Sequence, residues 1–307
     1  MHGVLLLDKP HGLSSNIALQ RARHLLRAEK AGHTGTLDPE ATGLLPLCFG
    51  EATKFSSFLL DAPKGYEALL HLGETSSTGD AEGTRTAGAG ALPDTVEPVQ
   101  AVLDGLIGPQ MQIPPMHSAL KHEGRPLYDY ARAGVEVPRA PRQIEVFGLT
   151  LLALAGNRLT VQVDCSKGTY VRTLAEEIGR RLGCGAWLAG LRRNRTGGFG
   201  LAEAVTLDAL AAMPEDARLQ WLRPPECLVD DLPMLVLDAG QTRALCHGQS
   251  PLATVEQRAG HAGIDPHPEV LRAVAAEGGR FLGLVQVTAD GRVLAVRLMA
   301  EPVLPPR

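Results

Sequence analysis

One carboxylate sits in the middle of a run of small residues: Gly32-His33-Thr34-Gly35-Thr36-Leu37-Asp38-Pro39-Glu40-Ala41-Thr42-Gly43. The glycines and threonines let the backbone approach a ligand closely and take up left-handed φ where a turn needs it. Pro39 stiffens the position of Asp38. An ionised carboxylate presented in this way can act as a nucleophile or as an electrostatic partner. The same residues also spell a helix start, with Asp38 as N-cap, Pro39 at the first helical position and Glu40 behind it. The loop alone does not choose between chemistry and capping.

A second residue asks for a partner. Ser166-Lys167-Gly168-Thr169 leads into a helix whose Val171, Leu174, Ala175, Ile178 and Leu182 form one apolar stripe. Arg172 lies off that stripe in the first turn, where a cation opposes the helix dipole. It therefore needs an anion from elsewhere in the chain.

These residues must be positioned by the elements around them. Gly3 to Asp8 reads as a short buried strand, ended by the turn Lys9-Pro10-His11-Gly12. Ser14 or Ser15 caps a helix with Ala18, Ala22, Leu25 and Leu26 on one face. After the Asp38 loop come a strand, Leu44–Phe49, a short helix around Ala52–Leu60, and a strand, Lys64–Leu72, that carries Tyr66. Gly73 to Leu92 reads as a long loop, and Pro98 to Ile107 as a helix. Gln110 to Val137 is polar, basic and aromatic, an excursion from the core that contacts a partner. Gln143–Ala155 and Arg158–Cys165 predict two strands joined at Gly156-Asn157. The strand-like Ala186–Leu191 runs into Arg192-Arg193-Asn194-Arg195, and short helices follow from Thr206 to about Leu222. Pro224, Pro225 and Pro233 mark a boundary. Beyond it Met234–Leu237, Phe281–Val287 and Val293–Leu298 predict a small β domain, with an Asp290-Gly291 hairpin turn. Val255–Gly279 interrupts that domain without a clear assignment.

Composition narrows the class. With 307 residues, 44% of them hydrophobic and 21% charged, the chain is long enough for two domains. The net charge of −4 points to no nucleic acid, yet residues 121–195 hold 13 Lys and Arg against 7 Asp and Glu. A basic zone in an acidic protein suits an RNA or DNA footprint, and equally suits solvated helix faces. The five cysteines are widely spaced without C-x-x-C, which argues against a disulfide framework or a zinc site and fits a reducing cytoplasm. No long apolar segment suggests a signal peptide or a membrane span. No motif for a nicotinamide, flavin or metal is present, and the absence of a lysine after the glycines excludes a Walker-type nucleotide hydrolase.

Lys9-Pro10-His11-Gly12, Gly32-His33-Thr34-Gly35-Thr36-Leu37-Asp38-Pro39, Gln112-Ile113-Pro114-Pro115, Lys167-Gly168-Thr169-Tyr170-Val171-Arg172, Gly183-Cys184-Gly185-Ala186 and Leu191-Arg192-Arg193 occur in one order. Together they resemble the bacterial tRNA pseudouridine-55 synthases, the TruB family, over about residues 3–230. The segment after about 232 is similar to the PUA RNA-binding domain. The resemblance implies an α+β chain: a catalytic domain, 1–231, with a mixed, largely antiparallel sheet flanked by helices and an RNA-gripping insertion near 110–140, then a PUA-like domain, 232–307. It implies a uridine isomerase in which the base leaves N1, rotates and rejoins through C5, without cofactor or metal. It further implies a cytoplasmic monomer that binds the T arm of tRNA, with no membrane and no obligate protein partner.

Asp38, Tyr66 and Arg172 match the family's catalytic positions, with Arg172 paired to Asp38 so that the carboxylate stays ionised. His33, Tyr66, Tyr170 and Leu191 fall where the family contacts the flipped nucleotide, and Asp80 is a further contact candidate. Read singly, Tyr66 and Leu191 suit core positions, Tyr170 a helix start, and His33 and Asp80 loop positions. Lys9 and Pro10 shape the site rather than react. The basic residues between Lys121 and Arg142, with Arg192, Arg193 and Arg195, are expected to hold phosphates. His117 stands where relatives often have an aromatic. Two other readings remain: a guide-RNA-dependent rRNA pseudouridine synthase of dyskerin type, and a tRNA-binding folding chaperone without catalysis. The proline-rich boundary predicts that the C-terminal module is removable.

Overall fold

Strand β1 (Gly3–Lys9) is apolar at nearly every position because both of its faces are covered. Leu5 and Leu7 join a cluster with Ala18, Leu19 and Ala22, whereas Val4 and Leu6 join a second cluster with Phe55 and Leu59. The computed structural model describes residues 1–118, 120–259 and 270–300. From β1 the chain runs through α1 (Ser15–Leu25), β2 (Ala31–His33), β3 (Thr42–Phe49), α2 (Ser56–Asp61) and β4 (Lys64–Leu72). It continues with β5 (Glu74–Ser76), β6 (Arg85–Ala87), α3 (Val96–Asp104), β7 (Gly108–Gln112), β8 (Lys121–His122), β9 (Arg125–Pro126) and α4 (Leu127–Arg132). The long β10 (Arg142–Ala155), β11 (Arg158–Cys165), α5 (Val171–Leu182) and β12 (Ala186–Thr196) follow.

The main sheet is ordered β1-β3-β12-β4-β11-β10-β7, with the two-residue strand Val205–Thr206 outside β1. Its pairings are antiparallel except β3 with β12 and β1 with Val205–Thr206, so the sheet is mixed and largely antiparallel as expected. Helices α1, α3 and α5 pack their apolar residues on one face of it. Across the centre, Gly43 of β3 pairs with Arg193 of β12, which pairs with Tyr66 of β4. A side chain at position 43 has no room: a Cβ there would lie 2.2 Å from the Arg193 carbonyl oxygen, at φ +102°.

Several elements differ from expectation. The helix around Ala52–Leu60 is split into a 3-10 turn, Gly50–Lys54, and α2. The loop 73–92 contains the β5–β6 hairpin, in which Glu74, Thr75 and Ser76 pair with Ala87, Thr86 and Arg85. The excursion begins after β7, an edge strand on β10 whose Pro109 and Gln110 disguised it. The Arg192–Arg195 run continues β12 instead of following it. Arg192 pairs with Asp8 at 2.7 Å, Arg195 with Asp164 at 2.7 Å, and Arg193 is buried. Arg192 and Arg195 are thus partly exposed and each tied to a carboxylate of another strand, and of the three arginines only Arg193 is withdrawn from solvent.

The C-terminal unit is a four-stranded sheet, Met234–Leu237, Val270–Ala275, Phe281–Val287 and Val293–Leu298 in spatial order. All three expected strands and the Asp-Gly turn are present. The unassigned Val255–Gly279 segment supplies a short helix, Val255–Ala259, and the strand Val270–Ala275; residues 260–269 lie outside the described residues. A helix over Ala239–Cys246, capped by Asp238 with Gln241 reciprocating, was not legible in the periodicity. Phe281, Leu284 and Met299 pack with Val4, Leu6 and Phe55 in one apolar cluster. The proline-rich boundary thus crosses a shared core. Among the described residues no helix is long and apolar enough to cross a membrane.

Candidate active site at the Asp38 loop

Asp38 heads a tight turn, not a helix. The Ala41 N–H donates to the Asp38 carbonyl at 3.1 Å, and β3 begins at Thr42. The capping reading fails, and the carboxylate side chain is 52% exposed on a cleft.

The loop is fixed from behind by its neighbours. The buried Lys9 Nζ donates to the carbonyls of Pro10, Leu13 and Pro39 at 2.9, 2.6 and 3.3 Å. Burial pushes this lysine down to about 8, against the attraction of Asp38 and Glu40. The Gly12 N–H also donates to Pro39 O, at 2.9 Å. Ser14 caps α1 by accepting from Ile17 N. Ser15 is thereby free to grip Leu37, donating to its carbonyl at 2.8 Å and accepting from its N–H at 2.7 Å. These contacts explain why Lys9-Pro10-His11-Gly12 accompanies the aspartate loop: it shapes the site, as the sequence implied.

Arg172 is the hub. It is 6% exposed, and its guanidinium reaches Asp38 Oδ2 at 3.2 Å and Asp80 Oδ2 at 3.0 Å. It also donates to His117 O at 2.6 Å. The cation at the α5 start thus has two anionic partners, which offsets its placement against the helix dipole. Asp80, which reads as a loop acid, is held by a Thr78 hydroxyl and by Glu82 N, and its backbone bridges to Leu188 of β12. His117 contributes its carbonyl oxygen to this hub and is among the residues that line the cleft.

Two cavities, of about 470 and 350 Å³, meet at Asp38, Leu37, Ser118, Arg172 and Leu191. Both lie in the size range of small-ligand sites. His33, Asp80 and His117 line the first; Tyr66, Tyr170, Lys64 and Arg193 line the second. Each of the expected site residues therefore lines one or both of two cavities that share the Asp38 and Arg172 wall. Among the described residues His33 Nδ1 is buried without a hydrogen-bond partner, and burial lowers the imidazole's pKa. Burial raises the Tyr66 phenol. Lys64 donates to Leu60 O at 2.6 Å and Ala62 O at 2.7 Å, and burial brings it to about 8.

Sequence reasoning passed over Gln112 and the burial of Arg193. The Gln112 amide accepts from Tyr170 N at 2.8 Å and donates to Tyr170 O at 3.1 Å, holding the backbone just before α5. Its signal was the Gln112-Ile113-Pro114-Pro115 motif, whose reason is this clamp. For Arg193 there was only its place in Leu191-Arg192-Arg193. Among the described residues no three or more His, Cys, Asp or Glu side chains are grouped to hold a metal ion.

Known proteins bear on this geometry. Residues 23–171 match the model of the TruB family pseudouridylate synthase N-terminal domain, and residues 172–229 the tRNA pseudouridylate synthase B C-terminal domain. A tRNA pseudouridine synthase B of Aromatoleum aromaticum is 52% identical over 299 residues, covering 97% of this chain and 92% of that relative. One of Thiobacillus denitrificans is 50% identical, covering 97% and 96%. Among solved structures, a Cbf5–Nop10–Gar1 complex matches with TM-score 0.72 and 26% identity, covering 99% of this chain and 85% of that one. An archaeal box H/ACA Nop10–Cbf5 complex matches with TM-score 0.70, also at 26% identity, covering 99% and 86%. With both family models matched in sequence order and likeness to these relatives over nearly its whole length, the chain belongs to the TruB family of tRNA pseudouridine synthases.

Proposed function

We propose that this protein converts the T-loop uridine at position 55 of tRNA to pseudouridine, with Asp38 as its catalytic carboxylate. The observation that carries this reading is the exposed Asp38 side chain, ion-paired at 3.2 Å to a buried Arg172 at the junction of two cavities. The N1–C1′ bond breaks, the base turns, and C5–C1′ forms; C5 loses a proton and N1 gains one, so atoms balance without a cofactor. Asp38 supplies negative charge next to the ribose or base, Arg172 orients it through their ion pair, and Tyr66 lies against the base. His33, Tyr170, Leu191 and Asp80 border the space for the extruded nucleotide, whose flipping costs a few kcal/mol. The insertion formed by β8, β9 and α4, carrying Lys121, Arg125 and Arg132, grips the T arm. Residues 1–231 form the catalytic part and 232–307 a PUA-like RNA-binding part of a cytoplasmic monomer.

The test uses tRNA transcripts with the T-loop uridine or with cytidine in its place, incubated with enzyme alone and mapped for pseudouridine. Pseudouridine at that uridine only supports the reading. Modification that appears only when a guide RNA is added supports the dyskerin-type alternative, which the likeness to Cbf5 complexes brings into view. Asp38→Asn tests the residue: isomerisation is lost while tRNA affinity changes by less than about tenfold, roughly 1.4 kcal/mol. Activity at a tenth of wild type would remove Asp38 from the chemistry. No turnover by the unaltered enzyme, with tight binding and refolding of misfolded tRNA, would favour the chaperone reading.

A further inference from the structure

Arg193 is 1% exposed, and among the described residues its guanidinium meets no carboxylate. Nε donates to Leu44 O at 2.7 Å, while Nη2 is buried with no hydrogen-bond partner. A buried guanidinium does not deprotonate, and without compensation its burial costs several kcal/mol. A site that keeps such a charge unpaired invites the question of what it acts on.

Its neighbour across the sheet is Tyr66, directly opposite in the β12–β4 register. Both side chains line the cavity that contains Asp38. Gly35 lies beside Nη1, where a Cβ would sit in ordinary contact at 3.6 Å. The other charged groups on this cavity are already committed: Arg172 to Asp38 and Asp80, and Lys64 to two backbone carbonyls. Burial raises the phenol's pKa; Arg193 opposes this through its charge and as a hydrogen-bond donor, while Cys165 of β11 and Asp38 add to the rise. A guanidinium has donors only, so any hydrogen bond between the two is accepted by the phenol oxygen.

We propose that Arg193 is a positioning residue for the isomerisation: it fixes the Tyr66 oxygen toward the Asp38 cleft and stabilises the phenolate from which that oxygen accepts the C5 proton. The inference rests on the reading of Tyr66 as the group beside the target base. Once C5 has bonded to C1′, it carries both the ribose and a hydrogen, with a double bond between N1 and C6. The C5 proton passes to the Tyr66 phenolate, and the C–H electron pair becomes the C5–C6 double bond. The N1–C6 π pair returns to N1, which takes a proton from water. The cation supplied by Arg193 lowers the energy of the phenolate before that transfer and adds nothing to ground-state tRNA binding.

The experiment measures single-turnover rates on tRNA from about pH 6 to 9.5, with tRNA affinity measured separately. Arg193→Met keeps much of the volume without the charge. Its rate at pH 7.5 falls by about 30-fold or more, its alkaline-rising limb moves to higher pH, and its tRNA affinity stays within about threefold. Arg193→Lys restores part of the rate. Replacing Tyr66 by 3-fluorotyrosine, a more acidic phenol, recovers rate in the Arg193→Met background and moves the limb back. A slowed Arg193→Met with an unmoved limb and no recovery by fluorotyrosine overturns the proposal, as does wild-type activity. Should Arg193→Met not fold, the same limb shift and fluorotyrosine recovery are read in Arg193→Lys. Tyr66→Phe separates the layers. If it keeps full activity, the Tyr66 reading itself falls; if it is inactive while the Arg193 variants behave like wild type, only the inference about Arg193 falls.

Discussion

The Asp38 cleft and the junction with the C-terminal sheet are held together by opposite means. In the cleft, Lys9, Lys64, Arg172 and Arg193 are all buried, and each is satisfied through named carbonyls or carboxylates or, for Arg193, only in part. At the junction, Phe281 meets Phe55 edge-on with centroids 5.4 Å apart, and Leu284 and Met299 fill in beside Val4 and Leu6. Burying charge is unfavourable, whereas burying those apolar side chains stabilises by roughly 1.5–3 kcal/mol each. On the proposed function, fixed charge in the cleft orients groups for chemistry, whereas apolar packing at the junction adds stability. The two regions should therefore fail differently: damage in the cleft should appear in rate, and damage at the junction in stability.

The largest expected effect is at the hub. Arg172→Met leaves Asp38 and Asp80 facing each other without their shared cation. The single-turnover rate should fall by about 1000-fold or more, roughly 4 kcal/mol in the barrier, with folding and tRNA affinity little changed. Arg172→Lys should recover only part, because an ammonium cannot span both carboxylates as a planar fork does. A variant that loses its melting transition instead of its rate would merge the two regions and break the comparison.

At the junction, Phe281→Ala should lower stability by about 3–5 kcal/mol while kcat, measured well below the melting point, stays near wild type. Ending the chain at Asp231 removes Phe281, Leu284 and Met299 together and uncovers Val4, Leu6 and Phe55. Such a chain should melt markedly lower than the full one, contrary to the removable module that the prolines suggested. A truncated protein with an unchanged melting temperature would show that the shared cluster contributes little.

What the sequence made legible follows the same division. The Asp38 loop is contiguous, so its glycines, proline and carboxylate could be read together, and Arg172 announced its need for an anion by standing at a helix start. The main strands were legible because β1, β4 and β11 are long apolar or alternating runs. Arg193 was misread as a phosphate contact because a run of arginines looks like surface. Its burial depends on β3, β12 and β4 coming together across some 150 residues of chain. Asp8 and Asp164, which neutralise Arg192 and Arg195, likewise lie on distant strands. The junction was not legible either, since Phe281 alternates like any strand residue and nothing local names Phe55 as its partner.

A smaller effect should follow from the clamp on Tyr170. Gln112 donates to and accepts from the same residue, so Gln112→Ala leaves a half-buried N–H unpaired, at about 1–3 kcal/mol, while the Tyr170 carbonyl keeps its bond from Leu174 N. Because that residue leads into Arg172, part of the cost should reach the rate as well. Gln112→Glu keeps the acceptor for Tyr170 N and loses the donor, and should fall between the two. Equal rates and melting temperatures for all three would show that the clamp is dispensable, and the cleft would owe its geometry to the charges alone.

The smallest effect tests the sign of burial at the cleft. Burial lowers the His33 pKa below its usual value near 6.5; a backbone contact with Gly35 opposes this, and the Arg193 cation reinforces it. The folded state therefore binds fewer protons than the unfolded state between the lowered value and 6.5. Stability associated with His33 is fully present above 6.5 and is lost as pH falls through that window, levelling off below the folded value. His33→Gln has no proton to gain, so its melting temperature should fall less than that of wild type between pH 7.5 and 5.5. The junction offers a control, because Phe281→Ala lowers stability without altering a titrating group, and its pH dependence should parallel wild type. If His33→Gln and wild type fall in parallel too, His33 is as free to protonate in the folded protein as in the unfolded chain. The cleft would then be wetter at that wall than the burial of Nδ1 implies.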